Sequence, residues 1–242
     1  MRLLFPVLIL ILFYGQITAQ KQVLVFHETQ GYYHKSIPKG IKTIRNLGKQ
    51  HDFEVLSTDD SNIFIKDRME DIDLVIFLNT TGDVLNMREQ MAFKDYIQAG
   101  GNFFGIHSAA DTEYEWAWYG KLVGAYFKNH PPPGRAKIKL VNKDNPMVSH
   151  LPETWVRTDE WYNYYNLQDD IEVLLNLEES SYKGGENGDF HPIAWYKETG
   201  YGGVSIYTGG GHTAKSFTEA LFREHLLRSI LFALKSEHSI KP

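Results

Sequence analysis

Short, unbroken apolar segments separated by helix-spaced ones constrain this chain most. Val23-Leu24-Val25-Phe26, Phe53-Glu54-Val55-Leu56, Asp73 to Asn79 and Asn102 to His107 are brief and rich in β-branched or aromatic residues. Runs of that length with little or no polar alternation suit strands buried on both faces. Between them, Ile37 to Leu47 carries apolar residues at 37, 41, 44 and 47, with Ser36 as the expected N-cap. Leu85 to Gln98 offers Met91, Phe93, Tyr96 and Ile97 for an inner face and ends at Gly100-Gly101. A short helix is expected around Asp67–Glu70. The order β-α-β-β-α-β predicts an α/β fold: a flavodoxin-like three-layer parallel sheet with helices on both faces.

The second half is less regular, so the sheet is expected to be elaborated there. Trp116 to Val123 reads as a short helix. Lys137 to Val141, Glu172 to Leu177, Pro192 to Tyr196 and Gly203 to Thr208 read as strands. Thr218 to Leu234 closes the chain as a helix. His130-Pro131-Pro132-Pro133-Gly134 is a stiff loop that cannot be a central strand, and Ser181 to Asp189 is a polar, Gly-rich loop. No repeat or linker divides the chain, so residues 20–242 are expected to form one domain.

At the start, Arg2 precedes an apolar run from Leu3 to Tyr14, and a small residue, Ala19, closes the segment. This reads as a signal peptide over residues 1–19 and a periplasmic or secreted protein. The alternative, an uncleaved anchor, is disfavoured because the run is shorter than the roughly 20 residues a span needs. No stable membrane span is expected after leader removal. The net charge of −5 and the lack of a Lys/Arg cluster argue against a nucleic-acid partner. The sequence leaves oligomeric state open. With no cysteine anywhere in its 242 residues, the chain has no disulfide, thiolate metal ligand or thiol nucleophile. No Walker loop or G-x-G-x-x-G is present, so no nucleotide cofactor is expected.

In an open parallel sheet, ligands bind outside the carboxyl ends of the strands. His27 ends the first strand, Asn79 and Thr80 end the third, His107 ends the fourth, and His212 follows a late strand after three glycines. A lone histidine is ordinarily a structural hydrogen-bonder, but histidines at several strand ends share a rim. Gly105-Ile106-His107-Ser108-Ala109 has the layout of a nucleophile elbow with His107 at the apex. A helix N-terminus expected beside it would favour an anionic ligand group and a neutral imidazole. Gly31-Tyr32-Tyr33-His34 puts Tyr33 and His34 either over the same rim or in a solvated loop. Asp159-Glu160-Trp161-Tyr162 sets two carboxylates against aromatic rings, which suits a sugar-binding surface or, alternatively, an aromatic strand filling the core. His130 is either a wall of the site or a structural corner.

Several ordered stretches resemble the ThuA-like (trehalose-utilisation) family, within the class I glutamine amidotransferase-like superfamily. They are Gly31–His34, Leu78–Gly82, Gly100–Ala109 with Asp111-Thr112, Phe127–Pro132, Asp159–Tyr162, Pro192–Trp195 and Gly210–His212. The resemblance implies a flavodoxin-like core and a role in carbohydrate metabolism. In the superfamily the elbow holds a Cys paired with a late His; here the pair reads His107 and His212, so this is not a glutamine amidotransferase. The implied ligand is a small-molecule carbohydrate, a disaccharide, glycoside or 3-keto-sugar. The implied activity is that of a sugar-acting hydrolase, lyase or isomerase, with a non-catalytic sugar binder or degenerate scaffold as the alternatives. His107 (base), Glu160 (acid) and His212 are the catalytic candidates. His27, His34, Tyr33, Asn79, Thr80, Asp111, Trp161 and Tyr162 are the substrate-binding candidates, with the four histidines 27, 34, 107 and 212 expected to cluster. His34, His107 and Asp159 are the candidate ligands of a divalent metal, for which imidazole and carboxylate suit Zn, Fe, Ni or Mn.

Overall fold

The computed structural model describes residues 20–65 and 69–235; the expected leader and the last residues of the expected domain lie outside them. The buried apolar runs become β1 (Lys21–Phe26), β2 (Phe53–Thr58), β3 (Leu74–Leu78) and β4 (Asn102–Ile106), joined in parallel by β11 (Val204–Thr208). Their order, β2-β1-β3-β4-β11, is the flavodoxin-like arrangement.

Helix α1 (Ile37–His51) and α4 (Ala220–Lys235) cover one face of the sheet, while α2 (Met87–Gln98) and α3 (Ala117–Val123) cover the other. On the α2 side, Phe93 stacks on Phe77 with ring centroids 5.2 Å apart, and Phe103 and Tyr119 close the same aromatic layer. Asn86 caps α2 in a reciprocal box with Glu89. Two sequence expectations fail here. Met91 is exposed rather than inward-facing. Ser36 occupies the N-cap position of α1 without capping it, and its hydroxyl donates instead to the Gly211 carbonyl at 3.0 Å. The helix expected around Asp67–Glu70 is, among the described residues, a 3-10 turn at Met69–Asp71.

The elaborated half is an antiparallel extension of the same sheet. After β11 come β10 (Pro192–Glu198), β9 (Glu172–Glu178), β6 (Gly134–Leu140) and β7 (Thr154–Asp159), each antiparallel to the last. Four reversals return β7 to the direction of β11, so their carboxyl ends share a rim. In a flat sheet these two strands would stand about 19 Å apart, at roughly 4.8 Å per strand. Yet Asp159, the last residue of β7, bonds to Gly211 just beyond β11. The antiparallel half must therefore curl back, and the register breaks between Pro192 and Trp195 mark a place where extra twist enters. A separate ribbon of β5 (Tyr126–Asn129) and β8 (Asn163–Tyr165) was not anticipated from the sequence. Among the described residues, no helix is long and apolar enough to cross a membrane.

Candidate functional site

His107 follows β4 and adopts φ +50°, a left-handed conformation that side chains other than glycine seldom take. It opens a five-residue 3-10 turn, His107–Asp111, rather than the α-helix the elbow pattern predicts. The expected helix-dipole effect on the imidazole therefore loses its basis. Local bonds hold the strained residue in place. Its Nδ1 lies 2.9 Å from the Gly209 carbonyl, and its own carbonyl accepts the Tyr207 hydroxyl at 2.7 Å. A carbonyl can only accept, so Nδ1 carries a hydrogen and Nε2 is the ring nitrogen turned to the cluster. That Nε2 is buried, lies 3.4 Å from Glu160 Oε2, and has no aligned hydrogen-bond partner.

His212 arrives through Gly209-Gly210-Gly211. Gly211 sits at φ +123°, and a Cβ at Gly210 would lie 2.5 Å from Arg157 Nη1. The triplet thus allows the chain to pass close over β7. His212 Nδ1 is 3.0 Å from the same Glu160 Oε2 and is likewise buried without an aligned partner. His34, just before α1, is 2% exposed, and its Nδ1 meets Ser108 Oγ at 3.3 Å. The three imidazoles stand nearly perpendicular to one another, with centroids 4.9 to 5.3 Å apart. One donor atom from each of His34, His107, Glu160 and His212 falls within 4.8 Å of all the others.

The electrostatics follow from crowding and burial. Burial, reinforced by His107 and His212, drives the His34 pKa down to about 2. Burial alone would raise Glu160, but the close approach of His107 and His212 outweighs it and holds the carboxyl well below its usual range. Burial would lower His212, yet Glu160, with help from Asp159, raises it. Glu160 is therefore ionised, which suits a base or a ligand rather than the acid expected from sequence. Two imidazole nitrogens 3.4 and 3.0 Å from one carboxylate oxygen, neither aligned for a hydrogen bond, form an arrangement a cation would satisfy. Three nitrogens and one oxygen fit a borderline transition ion better than magnesium or calcium.

Asp159, a candidate ligand from sequence, does not enter the four-residue cluster, and its oxygens are already engaged. Oδ1 accepts the amides of Glu160 and His212; Oδ2 accepts the Gly211 amide and the Ser216 hydroxyl and pairs with Arg157 at 3.0 Å. The adjacent carboxylate, Glu160, enters the cluster instead. His27 does not join the other three histidines: its charged neighbours are Asp59 and Arg45, and burial lowers its pKa. Asn79 and Thr80 are fully buried beneath the site. Asn79 donates to Ser36 and to the Gly211 carbonyl, while Thr80 bonds Thr112. Trp161 is a core residue with its indole N–H on the Gly134 carbonyl, so it offers no sugar platform. Tyr162 is buried as well, packed between His107 and Phe127 at 4.3 Å from each. Asp111 is half-buried and bonded by the Tyr114 hydroxyl, and burial raises its carboxyl pKa.

Two residues absent from the sequence-derived site reach it. His130 places Nδ1 3.2 Å from Glu160 Oε1, resolving the open reading of the Pro-rich loop in favour of a wall of the site. In the Gly31–His34 stretch, Tyr33 is exposed, and Tyr32 is the ring that meets His34 and His212.

Comparison with known structures places the same fold in two bacterial ThuA-like proteins. One, from Bacteroides uniformis, is 24% identical with a TM-score of 0.75 and covers 90% of this chain and 94% of its own. Another, from Parabacteroides merdae, is 17% identical with a TM-score of 0.76 and covers 92% and 93%. PurLQS from Thermotoga maritima, 13% identical, aligns with a TM-score of 0.51 over 89% of this chain and 100% of its own. No curated protein matches in sequence. The family described as "Trehalose utilisation" (ThuA) matches residues 22–233. Spanning that much of the sequence, the match makes the chain a member of the ThuA family.

Proposed function

We propose that the protein acts on a disaccharide, glycoside or 3-keto-sugar outside the cytoplasm, through acid–base chemistry beside a divalent metal. The observation that carries this reading is the convergence of His34, His107, Glu160 and His212, with two buried imidazole nitrogens lacking aligned partners. These four residues would hold Zn, Fe, Ni or Mn, and a bound ion there would polarise a sugar carbonyl or hydroxyl oxygen.

Other roles fall to the chain's own groups. Glu160 Oε2 faces His107 and His212, whereas Oε1 faces His130. Oε1 is therefore the oxygen placed to take a proton from substrate, and His130, whose Nδ1 also faces the Pro131 carbonyl, stands between it and solvent with a side chain 39% exposed. His107 Nδ1, tied to Gly209, keeps Nε2 turned into the cluster. Tyr162 and Phe127 exclude water beside it. The family name supports a sugar substrate, and the absence of cysteine rules out a thiolate route. The apolar Leu3–Tyr14 segment supports export.

The test is metal content of purified protein together with turnover of 3-keto-trehalose, for wild type, His107→Ala and His212→Ala. Wild type is expected to hold about one equivalent of metal. Each variant should lose metal and at least about 100-fold in turnover, the scale of damage even indirect metal-site changes reach. A wild type that binds sugar without converting it would be a binding module. Full metal and turnover in both variants would refute the reading.

A further inference from the structure

The cluster is not equally reachable from all sides. His107 is fully buried and the Glu160 side chain 6% exposed, but His212 reaches 20% and His130 39%. The cluster is therefore open past both His130 and His212, and on the His212 side the exposed ring is Tyr32. Its centroid lies 4.8 Å from His34, edge-on, and 6.4 Å from His212, with the planes 13° apart. Tyr32 remains 60% exposed, and its hydroxyl makes no hydrogen bond among the described residues.

Its backbone, by contrast, is fixed. The Gln30 and Gly31 amides donate to the Thr81 carbonyl at 2.8 and 3.3 Å, and the Thr81 hydroxyl donates to the Tyr32 carbonyl at 3.1 Å. Gly31 is held so near Thr81 that a Cβ would sit 3.3 Å from its side chain. A flat amphipathic ring on a rigid tether contributes contact area at little conformational cost. Chemistry near the cluster narrows the ligand further. Among the described residues, the ion-pair partners of Glu160 are the imidazoles of His107, His130 and His212, and none is a Lys or Arg. Lys35, directly after His34, and Lys215, three residues after His212, are exposed side chains, and Arg157, three residues before Glu160, is spent on Asp159 and Glu219. A phosphate or carboxylate brought up to the cluster would face the Glu160 carboxylate with no Lys or Arg paired to it.

We propose that Tyr32 is the platform on which a neutral, unphosphorylated sugar ring lies, C–H face to aromatic face, at the entrance beside His212. This rests on the sugar-acting reading above and specifies its substrate class. The ring sets affinity and orientation, while the cluster behind it is left intact.

The test is calorimetric titration of the full, metal-loaded protein with trehalose, trehalose 6-phosphate and the acyclic polyol sorbitol, for wild type, Tyr32→Phe and Tyr32→Ala. Metal content and melting temperature, read alongside, should stay at wild-type values. Trehalose is expected to bind best. Tyr32→Ala should weaken it about tenfold or more, with KM for 3-keto-trehalose rising and kcat changing by less than about threefold. Tyr32→Phe should stay within about threefold of wild type. The proposal is overturned if Tyr32→Ala binds trehalose as wild type does, if sorbitol or the 6-phosphate binds as well as trehalose, or if wild type binds no sugar. Turnover that does not depend on Tyr32 would sink this inference but spare the proposed function. Tyr32-dependent sugar binding without turnover would do the reverse.

Discussion

Replacing Asp159 with alanine separates a clamp from a metal ligand. The side chain is fully buried and serves four donors besides Arg157. Without it, the Arg157 guanidinium, only 2% exposed, keeps one ion pair, to the partly exposed Glu219 at 3.1 Å, and the faces of Trp155 and Phe222. Stranding one partner of a buried pair costs about 3–5 kcal/mol. Water entering the vacated space will re-solvate some of the amides, so the lower half of that range is expected. For a chain of this size each kcal/mol moves Tm by about 2–4 °C, giving a fall of roughly 6–16 °C. The assay is thermal unfolding of chelator-treated protein, where no metal contributes. Asp159→Asn keeps one carbonyl oxygen for the Glu160 and His212 amides but loses the charge opposite Arg157, so it should fall between alanine and wild type. If Asp159 were a ligand, metal-free stability would hardly change and only the stabilisation by added metal would vanish. A metal-free Tm within about 2 °C of wild type in Asp159→Ala would refute the clamp.

Two further outcomes follow from the histidines outside the cluster. His225 is fully buried between the Met147 carbonyl and Thr208, and burial lowers its pKa to about 4. Its folded pKa lies below the unfolded value of about 6.5. Its contribution is therefore fully present above pH 6.5 and is lost as pH falls towards 4, amounting to about 3 kcal/mol. Denaturant titrations across that window should show this decline, and His225→Gln should flatten it; an unchanged slope would contradict the buried neutral ring. His27→Ala should leave metal content unchanged and turnover within about twofold, because His27 sits towards Asp59 and Arg45 rather than the cluster; metal loss measured in that variant would place His27 back among the ligands.

Whether a feature could be read from sequence depended on which side of a strand carried the signal. β1, β3 and β4 were legible because both their faces are buried, leaving continuous apolar runs. β7 was missed because its inward positions are Trp155, Arg157 and Asp159. Two of those three are charged and mimic a solvated loop, although together they are the buried pair that braces the site. β5 and β8, at four and three residues, are too short to show any period. Tyr32 and Tyr33 are neighbours of one type, and only the tertiary path of the loop decides which ring turns towards His212.

The same limit explains the four cluster residues. His34, His107 and His212 lie in segments that follow β1, β4 and β11, parallel strands whose carboxyl ends must share one rim, so their meeting could be argued from strand order alone. Glu160 belongs to a different strand class. It reaches the rim only because β11, β10, β9, β6 and β7 reverse four times and so restore the original direction. It reaches the cluster only because that half of the sheet curls. The choice between Asp159 and Glu160 then turns on strand alternation, in which successive side chains point to opposite faces. Asp159 turns towards the amides of the His212 loop, and Glu160 towards the imidazoles. A shift of one residue in the register of β7 would exchange those roles. The pairing of β6 with β7, Gly134 opposite Asp159, therefore selects which carboxylate can hold a cation.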